Sequence, residues 1–187
     1  MPITIPDKVK IEPKPGAVEV TGPLGKFVQK LPAGITVKLD KSQAIIETSA
    51  PDNENGGPLH GLSRTLVYNA IIGVTQGFKK DLEIVGLGYR AAVAGDKLTL
   101  QLGFATPKEF RLPAGIKAVV DAKMTALSIS GIDNYLVGEV AAQLRKLRPP
   151  EPYKGSGIRY AGEHIIKKAG KAAAGAVGGG AAGGAKK

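Results

Sequence analysis

Leu31-Pro32-Ala33-Gly34-Ile35 recurs as Leu112-Pro113-Ala114-Gly115-Ile116, 81 residues further along the chain. After each copy the same succession follows: an alternating stretch (36–40, then 118–121), a turn near Asp40 or Asp121, a second alternating stretch (44–48, then 126–130) and a helix-period apolar stripe. A pentapeptide alone could be a reused turn. A shared order of elements behind it marks an internal duplication of one α+β module. The expected fold class is therefore α+β: two tandem modules, each a small, mainly antiparallel sheet packed by one principal helix, followed by a flexible basic C-terminal tail.

Val18 and Val20 alternate with polar neighbours over 17–21, Gly22, Pro23 and Gly25 make a turn, and 26–30 continues as strand. Over 59–76 the period changes: Leu62, Leu66, Ala70 and Val74 recur every fourth residue with Val67 and Ile71 beside them, which predicts an amphipathic helix. Gly77 stands where a C-terminal cap glycine belongs. In the second half, 81–85, 89–94, 97–102 and 108–112 read as strands, with Gly95-Asp96 as a hairpin turn. Asp133 is placed to cap a helix whose stripe is Leu136, Val140, Leu144 and Leu147 and which Pro149 ends. Residues 1–16 hold four prolines and read as an extended arm. The resulting division is arm 1–16, first module 17–80, second module 81–150, basic segment 151–171, and tail 172–187. The tail is Ala, Gly and one Val up to two final lysines, a composition that predicts disorder when unbound. Between them, 161–171 leaves room for a helical turn or two.

The 187 residues carry 26 Lys plus Arg against 16 Asp plus Glu, a formal charge of +10. Its distribution is uneven: residues 144–187 hold ten basic and two acidic side chains, leaving sixteen and fourteen for the rest. A polyanion is the natural partner of such a segment, because each neutralised phosphate releases condensed counterions; a solubilising tail is the plain alternative. There is no cysteine, which removes disulfides, thiolate metal sites and cysteine nucleophiles. No apolar run is long enough for a membrane span and the N-terminus lacks a secretory pattern, so a cytoplasmic location is expected and no membrane partner.

The segment 148–160, Arg-Pro-Pro-Glu-Pro-Tyr-Lys-Gly-Ser-Gly-Ile-Arg-Tyr, interleaves cations, glycines and aromatic rings directly after the second helix. Three prolines in its first five residues rule out continuation of the helix, so a loop is expected. Such a composition suits a phosphate backbone with exposed bases, and it also suits an ordinary connector. Catalytic patterns are weak. Gly86-Leu87-Gly88-Tyr89-Arg90-Ala91 matches a dinucleotide-binding pattern, but the chain continues as alternating strand where that pattern demands a helix; a tight bend or bulge is the better reading. His60 and His164, the only histidines, have no ligand-like partners, and acidic residues are scattered. No enzyme, cofactor or metal is expected. A protein-interaction module with an incidental basic tail is the alternative to a nucleic-acid binder, with Tyr135 and the Pro-rich loop as its anchors.

Five motifs carry a resemblance to a known family: Val18-Glu19-Val20-Thr21-Gly22-Pro23-Leu24-Gly25, His60-Gly61-Leu62-Ser63-Arg64, Gly86 to Ala91, Leu102-Gly103-Phe104 and, most specifically, the segment 148–160. Over roughly residues 3–171 the chain resembles the bacterial large-subunit ribosomal protein L-six family. That resemblance implies two tandem α+β domains and binding of large-subunit (23S) rRNA near the sarcin-ricin loop, at the stalk base where translational GTPases dock, among neighbouring large-subunit proteins. It makes Lys154, Arg159, Lys167, Lys168 and Lys171 the expected phosphate partners, with Arg145 and Arg148 extending the cationic face. Tyr153 and Tyr160 would stack on bases or riboses or pack under the loop, and Gly155 and Gly157 would let the backbone lie against RNA. Ser156 departs from the family pattern, which has lysine there, and can offer only a neutral contact. The N-terminus is shorter in basic residues than usual, and the Ala/Gly tail runs past the usual ending.

Overall fold

The computed structural model describes residues 3–40, 43–48 and 57–168. Lys171 and the whole 172–187 tail lie outside the described residues. The element order is β1 (Ile3–Thr4), β2 (Lys10–Lys14), β3 (Ala17–Gly22), β4 (Gly25–Lys30), β5 (Ile35–Asp40), β6 (Gln43–Thr48), α1 (Gly57–Thr75), β7 (Phe78–Val85), β8 (Arg90–Ala94), β9 (Lys97–Gln101), β10 (Lys108–Arg111), β11 (Ile116–Val120), β12 (Ala126–Gly131), α2 (Asn134–Leu147) and β13 (Gly157–Tyr160). Two α+β modules follow one another, and all strand pairs are antiparallel. Each module has two small sheets rather than the single sheet expected: β2-β3-β4 and β1-β6-β5 in the first, β8-β9-β10 and β7, β12, β11 with β13 in the second. Neither described helix is long and apolar enough to cross a membrane.

The repeated pentapeptide performs the same task twice. It carries the chain from the three-stranded meander into the second sheet. Leu31 donates its N–H to the Gly16 carbonyl at 3.0 Å and Leu112 donates to Asp96 at 2.9 Å, so each leucine is tied to the hairpin turn of its own meander. Gly34 and Gly115 then reverse the chain at φ +81° and +87°, and Ile35 and Ile116 start the next strand already buried. Alternation does the rest, since Val18 and Val20, Leu98 and Leu100, and Leu127 and Ile129 each put two inward side chains on one sheet face.

The arm of residues 1–16 is part of the fold. β1 pairs with β6 through Ile3 and Ala44, and β2 pairs with β3 from Lys10–Thr21 to Lys14–Ala17. Ile3, Val9 and Ile11 are buried in the first core. Prolines hid this alternation, yet Pro13 sits on an edge strand, where its missing N–H leaves no ladder bond unmade.

Both helices end as their sequences imply. Gly77, at φ +74°, gives its N–H to the Ile72 carbonyl at 3.1 Å, and the Asp133 side chain accepts the Tyr135 N–H at 2.8 Å. The buried face of α1 differs from the expected stripe. It is made by Ser63, Val67, Ala70, Ile71, Gly73 and Val74, and Leu62 is half exposed. The rotation brings Gly73 under the second module: a Cβ there would lie 2.1 Å from the Ile132 carbonyl oxygen, and Ile132 packs against the first core. The two modules meet over that glycine, where only a missing side chain admits the neighbouring backbone. In α2 the buried positions are Val137, Val140, Ala141 and Leu144, with Leu136 and Leu147 flanking them.

The bend at Gly86-Leu87-Gly88 is tight, as its glycines imply. Gly86 at φ +159° and Gly103 both lie against the Tyr89 ring, and the chain runs on as the strand β8.

Candidate nucleic-acid interface

The segment after α2 is a loop only in part. From Arg148 the chain leaves the helix at the prolines, turns, and returns as β13, which adds a fourth strand to the second sheet by pairing Gly157–Val85, Ile158–Ile84, Arg159–Glu83 and Tyr160–Leu82. Residues 157–160, grouped by sequence with the basic segment, thus belong to the second module. The neck is closed by Ile158 N–H on the Arg148 carbonyl at 2.8 Å, and the tip by Glu151 N–H on Ser156 and Gly155 N–H on Glu151, both at 2.9 Å. Prolines at 149, 150 and 152 bring no donors of their own, so these few bonds suffice to hold a short closed excursion. Ile158 is wholly buried in the second core, and such burial contributes about 1.5–3 kcal/mol. The loop is anchored at its base by hydrophobic packing.

The two glycines serve the chain itself. Gly157 is buried at φ +143°, and a Cβ there would meet the Pro149 carbonyl oxygen at 2.5 Å and Pro150 Cα at 2.8 Å. The close approach is between the two ends of the loop. Gly155, also buried, takes φ +75° and faces the Lys167 side chain, whose Cε is 3.9 Å from the position of a Cβ. Ser156, at the position that departs from the family pattern, donates its hydroxyl to Glu151 Oε2 at 3.1 Å.

The cations differ in what holds them. Arg145, on the last turn of α2, holds Glu163 in a two-point pair, Nε to Oε2 at 3.1 Å and Nη2 to Oε1 at 2.5 Å, and lies over the Tyr160 ring at 5.8 Å. Glu163 also accepts the Tyr160 N–H at 3.0 Å. Hydrogen bonding from Arg145 first, and from that N–H second, holds the Glu163 carboxyl below its usual range, and the same pair pushes the Arg145 guanidinium up. Arg159 reaches Glu83 Oε2 with Nε and Nη2 at 2.8 and 2.7 Å, directly across the strand pair. Both arginines are committed to internal carboxylates. They fasten β13 and the segment after it to the module.

The lysines are different. Lys154, Lys167 and Lys168 are exposed and have no ion pair among the described residues. The backbone gathers them: Lys168 gives its N–H to the Pro152 carbonyl at 2.9 Å, and Lys167 lies along Gly155. Residues 163–168 form no helical turn; they run irregularly back against the loop. Tyr153, 55% exposed, sits beside Lys154, whereas Tyr160 packs against the second core under Arg145. Three ammonium groups without an ion pair and one exposed aromatic ring therefore belong to the excursion and the segment laid back against it. Arg148 stands apart from them, its guanidinium 5.2 Å from the centre of the Phe104 ring, with Lys108 at 5.7 Å from the same ring. Phe104 lies in the β9–β10 connection and Lys108 opens β10, some forty residues from the loop, and no local sequence pattern ties them to it. Among the described residues no group of His, Cys, Asp and Glu is arranged to hold a metal ion.

The family described as "Ribosomal protein L6" matches residues 5–77 and 85–161, one span on each module. Similar chains include the large ribosomal subunit protein uL6 of Protochlamydia amoebophila, 48% identical over 93% of this chain and 96% of that one. The proteins of the same name from Picosynechococcus sp. and Acidobacterium capsulatum are 48% and 49% identical over 91% of this chain and 94% of theirs. With two matched spans covering both modules and near-half identity along almost its whole length, this chain belongs to the ribosomal protein L6 family.

Proposed function

We propose that the chain is a structural, non-catalytic constituent of the large ribosomal subunit that binds its rRNA through the outer face of the excursion after α2. Family membership and the relatives' shared name, large ribosomal subunit protein, support the assembly. The observation that carries the interface is the division of charge. Arg145 and Arg159 are neutralised inside the module, while Lys154, Lys167 and Lys168 remain unpaired around the exposed Tyr153. Each free ammonium can replace condensed counterions on a phosphate, and the ring offers a sequence-tolerant face for a base. Phosphate contacts of this kind fix position and orientation rather than reading sequence.

The finer placement rests on the family resemblance: 23S rRNA near the sarcin-ricin loop and stalk base, with neighbouring large-subunit proteins, supporting the docking of translational GTPases nearby. Lys171, which lies outside the described residues, is proposed as a further phosphate partner on the resemblance alone. The test is sedimentation of the native protein from cell extract. It should travel with the large subunit at physiological salt and leave it at high salt. A protein that remains at the top of the gradient, or is captured tightly by another protein after RNA is digested, contradicts the reading.

A further inference from the structure

Beside the excursion, a cleft of about 460 Å³ opens between Phe104, Leu147, Arg148, Pro149, Glu151 and Ser156. We infer that this cleft is a nucleotide subsite, in which one unpaired RNA base stacks on Phe104 while Arg148 and Lys108 take the flanking phosphates. The inference rests on the rRNA-binding reading and names chain positions outside the excursion.

The ring is placed by its neighbours. Leu102 is buried, Gly103 turns the chain at φ +73° under the Tyr89 ring, and Phe104 emerges on the surface with 39% of its area open. A half-open phenylalanine contributes little to a core. Its two companions are cations from different elements, Arg148 at the C-terminal cap of α2 and Lys108 at the start of β10, and neither has an ion pair among the described residues. The aromatic ring holds both near it without neutralising either, because a cation–ring contact leaves the formal charge intact. Two cations without ion pairs, gathered over a ring that keeps 39% of its area open, match a nucleotide, which presents a flat base between two phosphates. Glu151 is the one carboxylate of the cleft, and it accepts the Ser156 hydroxyl at 3.1 Å. Its charge keeps phosphate off that wall, and a carboxylate is a suitable acceptor for an exocyclic amino group of a base. An acidic protein segment would also meet the cations, but it would gain nothing from an aromatic plane that an aliphatic side chain could not supply.

The experiment is equilibrium binding of the full chain to protein-free 23S rRNA across a salt series, for wild type, Phe104→Leu, Phe104→Trp and Lys108→Ala. Stacking predicts that Phe104→Leu weakens binding by roughly 5- to 150-fold with an unchanged salt slope. Phe104→Trp should bind like wild type, and Lys108→Ala should lower the slope by about 0.7–0.9. Lys108 is exposed, so its variant tests the subsite even if Phe104→Leu lowers the melting midpoint. Wild-type binding with Phe104→Leu and Lys108→Ala indistinguishable from it overturns the subsite alone. A wild type that does not bind the rRNA overturns the subsite and the rRNA-binding reading together.

Discussion

Gly157→Ala should destabilise the second module far more than Gly155→Ala, although the two glycines lie two residues apart in the same excursion. At Gly157 an added Cβ would fall 2.5 Å from the Pro149 carbonyl oxygen and 2.8 Å from both Pro149 C and Pro150 Cα. All three are backbone atoms, held by the Arg148–Ile158 hydrogen bond at the loop neck and by the entry of β13 into the sheet. They cannot swing aside as a flexible side chain would. The residue must also keep φ +143°, a conformation that alanine adopts only with strain. Backbone strain and overpacking together amount to roughly 2–6 kcal/mol. For a chain of this size that lowers Tm by at least about 4 °C. Gly155 needs φ +75° too, but its added Cβ would meet only the far end of Lys167 at 3.9 Å. Its penalty is confined to the left-handed conformation, about 1–2 kcal/mol. Thermal unfolding followed by circular dichroism measures both. Equal midpoints for the two variants, or a Gly157→Ala midpoint matching wild type, would refute the assignment of Gly157 to the closure of the loop.

Other outcomes rest on the same geometry. Arg159→Ala should lower Tm and leave the salt slope of rRNA binding almost unchanged, because the guanidinium is already paired to Glu83; a slope reduced by about one, the effect of a lost phosphate contact, would show that it serves RNA instead. Glu163 has its pKa lowered in the fold, so its stabilising pair with Arg145 is fully present above the usual carboxylate range and is lost as pH falls through the lowered value. Melting midpoints between pH 3 and 7 should therefore drop more steeply for wild type than for Glu163→Gln, and parallel curves would contradict this. At the module junction, Gly73→Ala forces a Cβ to 2.1 Å from the Ile132 carbonyl oxygen and should cost about 3 kcal/mol. A melting midpoint equal to that of wild type would mean that the modules do not meet over Gly73.

Much of this was legible in the residues. The repeated Leu-Pro-Ala-Gly-Ile, with the strand-turn-strand-helix order behind each copy, revealed the duplication because the same local chemistry, a leucine anchor, a left-handed glycine and a buried isoleucine, was needed twice. The helix ends were legible because caps are local. The features that escaped were set by distant partners. β1 and β2 lie among prolines and become strands only because β6 and β3 offer edges; β13 becomes one because β7 does. The roles of Arg145 and Arg159 turn on Glu163 and Glu83, eighteen and seventy-six residues away, and no composition of the basic segment reveals that. In the same way no local pattern reveals that Gly157 makes its close approach to Pro149.

We propose that the lysines of the excursion without ion pairs, rather than its carboxylate-paired arginines, supply its phosphate contacts to rRNA. The most direct test is the slope of log K against log salt for 23S rRNA, comparing wild type with a variant in which Lys154, Lys167 and Lys168 are all alanine. The slope should fall by about 2–3 with Tm unchanged, since each lost phosphate contact removes roughly 0.7–0.9. An unaltered slope would contradict the claim.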